Sequence, residues 1–103
     1  MRTILAAGKT AEVSETFHVT NPKNHLNIPS FPPPVTLYQI GALANAETAT
    51  LQYHNGTEWV DVNNAGTKMQ LTATINYLPI TFPGEFRMNK AISAADVGIA
   101  ISD

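Results

Sequence analysis

The chain has 103 residues, no cysteine, 14% charged residues and a formal net charge of −2. That length supports one small domain built on a single core, and the missing thiols exclude a disulfide scaffold, a Cys-ligated zinc site and a thiol nucleophile. Six Lys and Arg against eight Asp and Glu leave no basic surplus for a phosphate backbone, so no nucleic-acid partner is expected. No window approaches the ~20 apolar residues of a membrane span, so no membrane partner is expected either.

Twelve Thr, eight Ile, six Val and eight aromatic residues favour pleated, half-buried strands, and seven Pro and six Gly punctuate them. Soluble domains carry about 25% charged residues, so this surface must be covered by Thr, Asn, Ser, Gln and Ala. Such a surface is common where a protein sits against a partner. The opening residues, Met1 to Gly8, hold one positive charge and a short apolar run, too brief for the ~7–15-residue core of a targeting segment.

The pattern divides the chain into an N-terminal strand with a Pro-rich arm, residues 1–34, and a β-domain, residues 35–103. In the first part Glu12 to Thr20 alternates, with Val13, Phe17 and Val19 on one face and Glu15 as the exception there. Asn21-Pro22 ends that strand. Pro29, Pro32, Pro33 and Pro34 then predict an extended polyproline segment, an arm or stiff connector that lies either along the domain's own flank or against a neighbour. Phe17, His18, Phe31, Pro32 and Pro33 are its candidate partner contacts, and the Glu12 to Thr20 strand is expected to add to a neighbour's sheet.

From Val35 onward strand signals recur about every ten residues. Val35 to Ile40 ends at Gly41, and Ala44 to Glu47 reads as a turn. Thr48 to His54 alternates with Ala49, Leu51 and Tyr53 inward. Asn55-Gly56 predicts a type I′ hairpin into Glu58 to Val62. Asn63 to Gly66 turns the chain into Lys68 to Ala73. Leu78 to Phe82 leads to Pro83-Gly84, a type II turn by its residues, and then to Glu85 to Asn89 and Val97 to Ser102. Seven short strands plus Glu12 to Thr20 predict an all-β fold, a small antiparallel sandwich. An immunoglobulin-like topology is the first expectation and a jelly roll the alternative.

Motifs that suggest chemistry fail on context. Gly8-Lys9-Thr10 ends like a phosphate loop, but Thr3 stands where its first Gly belongs and a strand follows instead of a helix. Asp61 to Gly66 opens like a calcium loop, yet Thr72 occupies the position of the bidentate Glu. His18, His25 and His54 have no metal-ligand spacing, and no Gly-x-Ser-x-Gly elbow is present. No catalytic residue, cofactor or metal is therefore expected, and the protein reads as a non-enzyme. Tyr53 and Trp59 flank the Asn55-Gly56 hairpin, and with Asp61 and Asn63 they form a candidate glycan platform. The competing reading places Trp59 in the core, where large aromatic residues usually pack.

The stretch from Val35 to Ser102 resembles small structural proteins of tailed bacteriophages, the Ig-like or decoration proteins that coat virions. The resemblance is carried by Ile40 to Leu51, by His54-Asn55-Gly56-Thr57-Glu58-Trp59-Val60-Asp61-Val62, by Pro83-Gly84-Glu85-Phe86-Arg87-Met88-Asn89-Lys90 and by Val97 to Ser102. It implies a virion component on the outer capsid surface, a cement protein bound to the major capsid protein and to copies of itself as a homotrimer. A tail or baseplate accessory protein and a carbohydrate-binding adhesive module are the alternatives.

Overall fold

The computed structural model describes residues 2–20 and 30–102. The Asn21-Pro22 strand end, His25 and Pro29 lie outside the described residues. In chain order the strands are β1 (Arg2–Gly8), β2 (Glu12–Val13), β3 (Phe17–Val19), β4 (Ser30–Phe31), β5 (Val35–Ile40), β6 (Ala49–His54), β7 (Trp59–Asp61), β8 (Asn63–Asn64), β9 (Thr67–Lys68), β10 (Gln70–Leu71), β11 (Tyr77–Ile80), β12 (Gly84–Lys90) and β13 (Val97–Ser102), and no helix occurs among the described residues.

The smaller sheet has the order β1-β13-β5-β11. The larger has the order β10-β6-β12-β3-β4, with β2 also on β12 and β7 also on β6. All pairs are antiparallel except the two-residue contact of β3 with β4. The pairs β1 with β13, β3 with β12, β5 with β11 and β6 with β10 are nested one inside the next and alternate between the sheets. This is a long hairpin rolled into two facing sheets, the strand order of a jelly roll. An immunoglobulin order would put the first two strands in one sheet, whereas here β1 and β3 lie in different sheets. The alternative topology is therefore the one adopted.

One core lies between the sheets. Leu5, Val35, Leu37, Ile80, Ile99 and Ile101 from the smaller sheet meet Phe17, Val19, Leu51, Leu71, Phe86 and Met88 from the larger. Phe17 and Phe86 pack with ring centroids 6.0 Å apart. Gln39 closes one end of this core. Its amide nitrogen donates to the carbonyls of Thr72 and Ile75, at 2.7 and 3.0 Å, and its oxygen accepts from Leu43 N–H at 2.9 Å.

The N-terminal residues belong to this core. Ile4, Leu5, Phe17, Val19 and Phe31 are all buried in it, and β3 is flanked by β12 on one side and β4 on the other. Over β3 both edges are thus paired, so the expected addition of Glu12 to Thr20 to a neighbour's sheet has no free ladder at His18 and Val19. Phe17 at 0% and Phe31 at 4% exposure are core side chains, not partner contacts. Pro32 and Pro33 are half-buried and Pro34 is exposed.

Two strands were obscured in the sequence by bulges. Along β1 the pairing advances by an extra residue between Thr3 and Leu5 and again between Leu5 and Gly8, so the neighbours Ile4 and Leu5 are both buried and alternation is lost. Between β2 and β3 the pairing moves from Val13 opposite Asn89 to Phe17 opposite Phe86, four residues against three. That extra residue turns Val13 outward and frees Glu15 from the apolar face. Ser14 holds the bulge, with its N–H on Met88 O at 2.8 Å and its hydroxyl accepting from Met88 N–H at 2.9 Å. Glu15 then pairs with Arg2 at 2.6 Å.

The turns also depart from expectation. Asn55-Gly56 lies in a four-residue loop between the paired His54 and Trp59. Only Gly56 of the two has positive φ, and Asn55 Oδ1 accepts from the Thr57 and Glu58 N–H groups at 3.0 and 2.9 Å. This is an Asx-stabilised turn. The type I′ geometry falls instead at Ala65-Gly66, with φ of 54° and 84° between the paired Asn64 and Thr67. Gly84 is extended and begins β12 rather than occupying a type II turn.

The β1 bulge sets a steric condition on β13. A Cβ on Gly98 would lie 2.4 Å from Leu5 O and 2.7 Å from Ala7 N. Gly98→Ala is expected to lower stability by about 1–3 kcal/mol, read as a fall in the melting temperature, whereas the outward-facing Thr36→Ala should change it little. An unchanged melting temperature for Gly98→Ala would refute the close approach of β1.

Candidate functional site

Strand alternation places two different kinds of side chain on the outer faces of the sandwich. On the smaller sheet the outward positions follow from register. Thr3, Ala100, Tyr38 and Tyr77 form one row across β1, β13, β5 and β11, and Ser102, Thr36 and Pro79 form the next. None of these side chains is charged. Tyr77 is 57% exposed, while Tyr38 is half-buried beside it.

The outward face of the larger sheet is polar and interconnected. Gln52 on β6 lies between Asp61 on β7 and Arg87 on β12. Its amide nitrogen donates to Asp61 Oδ1 at 2.9 Å, and its oxygen accepts from Arg87 Nε at 2.8 Å. Lys68 Nζ donates to Asp61 Oδ2 at 2.9 Å. The Arg87 guanidinium stacks 4.5 Å from the centre of the Trp59 ring, which His54 meets edge-on at 5.1 Å. Gln70 adds a bond to Thr50 Oγ1 at 3.0 Å. Every long side chain in this chain of contacts is committed to another, so the face is preorganised.

Asp61 carries the electrostatic consequence. The hydrogen bond from Gln52, then that from Lys68 and its charge, hold the carboxyl below its ordinary value, against a smaller opposing effect of burial. Glu47 serves the turns. It accepts from the N–H groups of Ala44 and Ala94, each at 2.8 Å, and so ties two loops together. Lys90 is buried at 1% exposure, and its Nζ donates to Thr10 O at 2.6 Å.

The four residues of the expected glycan platform do not share a face. Tyr53 pairs with Val60 and His54 with Trp59, and adjacent rungs of a ladder point to opposite sides. Trp59 and Asp61 therefore stand on the outer face of the larger sheet. Tyr53 turns toward the inner side at the rim of the sandwich, where it is 38% exposed. Trp59 is half-buried beneath Arg87 rather than in the core. His18, on the same outer face, has Nε2 3.7 Å from a Glu85 carboxylate oxygen.

At that rim Tyr53 borders a cleft of about 500 Å³ together with Phe82, Asn63, Glu85 and the buried Phe86. Phe82 meets Phe86 edge-on at 5.4 Å and is itself 38% exposed. Local pattern marks Phe82 and Glu85 as residues at the ends of strands. Their role at a cleft arises because the loop from β11 to β12 folds back against the β6–β7 hairpin, a contact between segments about thirty residues apart that no local pattern encodes. Arg87 and Gln52 were legible in principle, since both alternate out of phase with the buried Phe86, Met88 and Leu51.

Among the described residues no group of three or more His, Asp or Glu is placed to hold a metal ion. In comparisons with known proteins, no family model, no curated protein and no solved structure matches the chain.

Because the Asp61 carboxyl is lowered in the fold, its contribution to stability is present above the ordinary value of 3.8 and is lost as pH falls through the lower folded value. Asp61→Asn is accordingly expected to melt below the parent protein near neutral pH, with the gap narrowing once pH drops below 3.8. Parallel melting curves across the whole pH range would remove Asp61 from this role.

Proposed function

We propose that the protein is a non-catalytic structural component of a tailed-bacteriophage virion, a decoration or cement protein on the outer surface of the capsid. Its partners in this reading are the major capsid protein and copies of itself in a homotrimer. The observation that carries the proposal is the uncharged outer face of the smaller sheet, Thr3, Ala100, Tyr38, Tyr77, Thr36, Ser102 and Pro79. Charged side chains are the costliest to desolvate, and interface centres are depleted of them while Tyr is enriched. The larger sheet's outer face instead carries Asp61, Arg87 and Glu85, and Lys68 reaches Asp61 from the separate β8–β9 hairpin.

Two further points support the reading. The resemblance of Val35 to Ser102 to virion-coating proteins rests on turn and core residues, and it points to the same setting. Jelly rolls also recur among viral capsid and lectin domains, which is an analogy of fold and carries no function by itself. The same face would serve a tail or baseplate accessory protein, which differs only in where it docks.

The test is co-sedimentation of the purified chain with virion shells prepared without it. Wild type is expected to bind shells, and Thr36→Glu and Tyr77→Glu to lose binding while keeping the parent melting temperature. Arg87→Gln, on the opposite face, should bind as wild type does. A trimer, three times the 11.1 kDa chain, is expected by light scattering on the shell-bound material after release. Binding to isolated tails and not to shells would replace the capsid assignment with the tail one. Binding to neither would overturn both.

A further inference from the structure

The rim cleft combines features that the sheet faces do not. It has two partly exposed aromatic side chains, Tyr53 and Phe82, over a floor formed by the buried Phe86. Asn63 and Glu85 stand at its edge. Its volume of about 500 Å³ falls within the ~300–1,000 Å³ range of small-molecule sites. Large aromatic side chains gain by burial, and leaving two of them partly exposed around one concavity is not required by the core, which Phe17, Leu51 and Phe86 already fill.

We propose that this cleft is a binding site for a neutral saccharide. The chemistry of the lining selects the class. An aromatic face suits the apolar C–H face of a pyranose, while hydroxyl groups on the ring's edge need acceptors and donors placed beside it. Asn63, exposed at the cleft's edge, supplies both an acceptor and a donor. The Glu85 carboxylate is turned instead to the outer face of the larger sheet, 3.7 Å from His18 Nε2. Among the described residues no Lys or Arg lines the cleft, which disfavours phosphate and other anions. The site differs from a platform built on Tyr53 and Trp59, because Trp59 faces the other side of the sheet. It also stands apart from the virion reading, since it lies away from the uncharged face and needs no shell.

The test is a titration of the isotopically labelled full chain with methyl β-glucoside, methyl β-galactoside, methyl α-mannoside and N-acetylglucosamine, followed by amide NMR. At least one sugar is expected to shift the Tyr53, Asn63, Gly84 and Glu85 amides in a saturable way, and to leave the Arg87 and Trp59 side-chain signals unmoved. Phe82→Ala, at a partly exposed position, should fold and weaken that sugar by roughly tenfold, the scale of one lost stacking contact. Asn63→Ala should weaken it without changing the melting temperature. No saturable shift with any of the four sugars overturns the proposal. So does equal affinity in Phe82→Ala, shifts centred on Trp59, or saturable binding of choline or inorganic phosphate in place of the sugars. Shell co-sedimentation by Phe82→Ala should match wild type, so loss of sugar binding and loss of shell binding are read separately.

Discussion

Pairing of the first strand with the last holds the rest of the molecule in place. β1 and β13 are the outermost rung of a nested hairpin, and each inner pair can close only with its partner segments already antiparallel. The rung is made possible by two bulges in β1 and by the absence of a side chain at Gly98, where the backbone from Leu5 to Ala7 lies against β13. Those bulges bury Ile4 and Leu5 side by side, so the first residues of the chain supply core instead of an appendage. Contacts of this kind are long-range almost by definition. Loop-closure entropy must be met before they contribute, which makes the topology slow to form and cooperative once formed.

Once the two sheets are closed, their outer faces are free to diverge. On the larger sheet, charged and amide groups satisfy one another laterally through Gln52, which contacts Asp61 on one side and Arg87 on the other. The network costs the core nothing, because every member sits on the side away from it, and it leaves few groups free for a partner. The smaller sheet's outer face has hydroxyls, small side chains and two neighbouring tyrosines, with no ion pair to break on contact. The two outer faces therefore differ in chemistry, one crossed by amide and ion-pair bonds and the other bearing hydroxyls and tyrosines.

The cleft belongs to neither face. It lies at the end of the sandwich where the β6–β7 hairpin meets the turn into β12, at the closed tip of the nested hairpin and clear of the first and last strands. Loops at such ends are where a scaffold can vary its chemistry without disturbing its ladder. Phe82 illustrates the point, since its ring reaches Phe86 in the core on one side and solvent on the other. A structural role for one face and a ligand at the rim are therefore compatible within a single small core.

Much of the architecture was legible in the residues. Alternation at Val35-Leu37, Ala49-Leu51, Phe86-Met88 and Ile99-Ile101 marks the strands and their buried sides, because a pleated strand repeats every two residues whatever it pairs with. The all-β class follows from the same local rule. Which strand pairs with which does not, since backbone hydrogen bonds carry no residue identity and both sandwich topologies satisfy the same alternation. Tertiary structure also decided Glu15, Ile4 and Val13, where a single inserted residue reverses the face a side chain occupies. It decided the site as well. Tyr53 and Trp59 are six residues apart and look like neighbours in the sequence, but adjacent ladder rungs send them to opposite sides, and Tyr53 finds its aromatic companion in Phe82 only because the folded chain brings two distant turns to one rim.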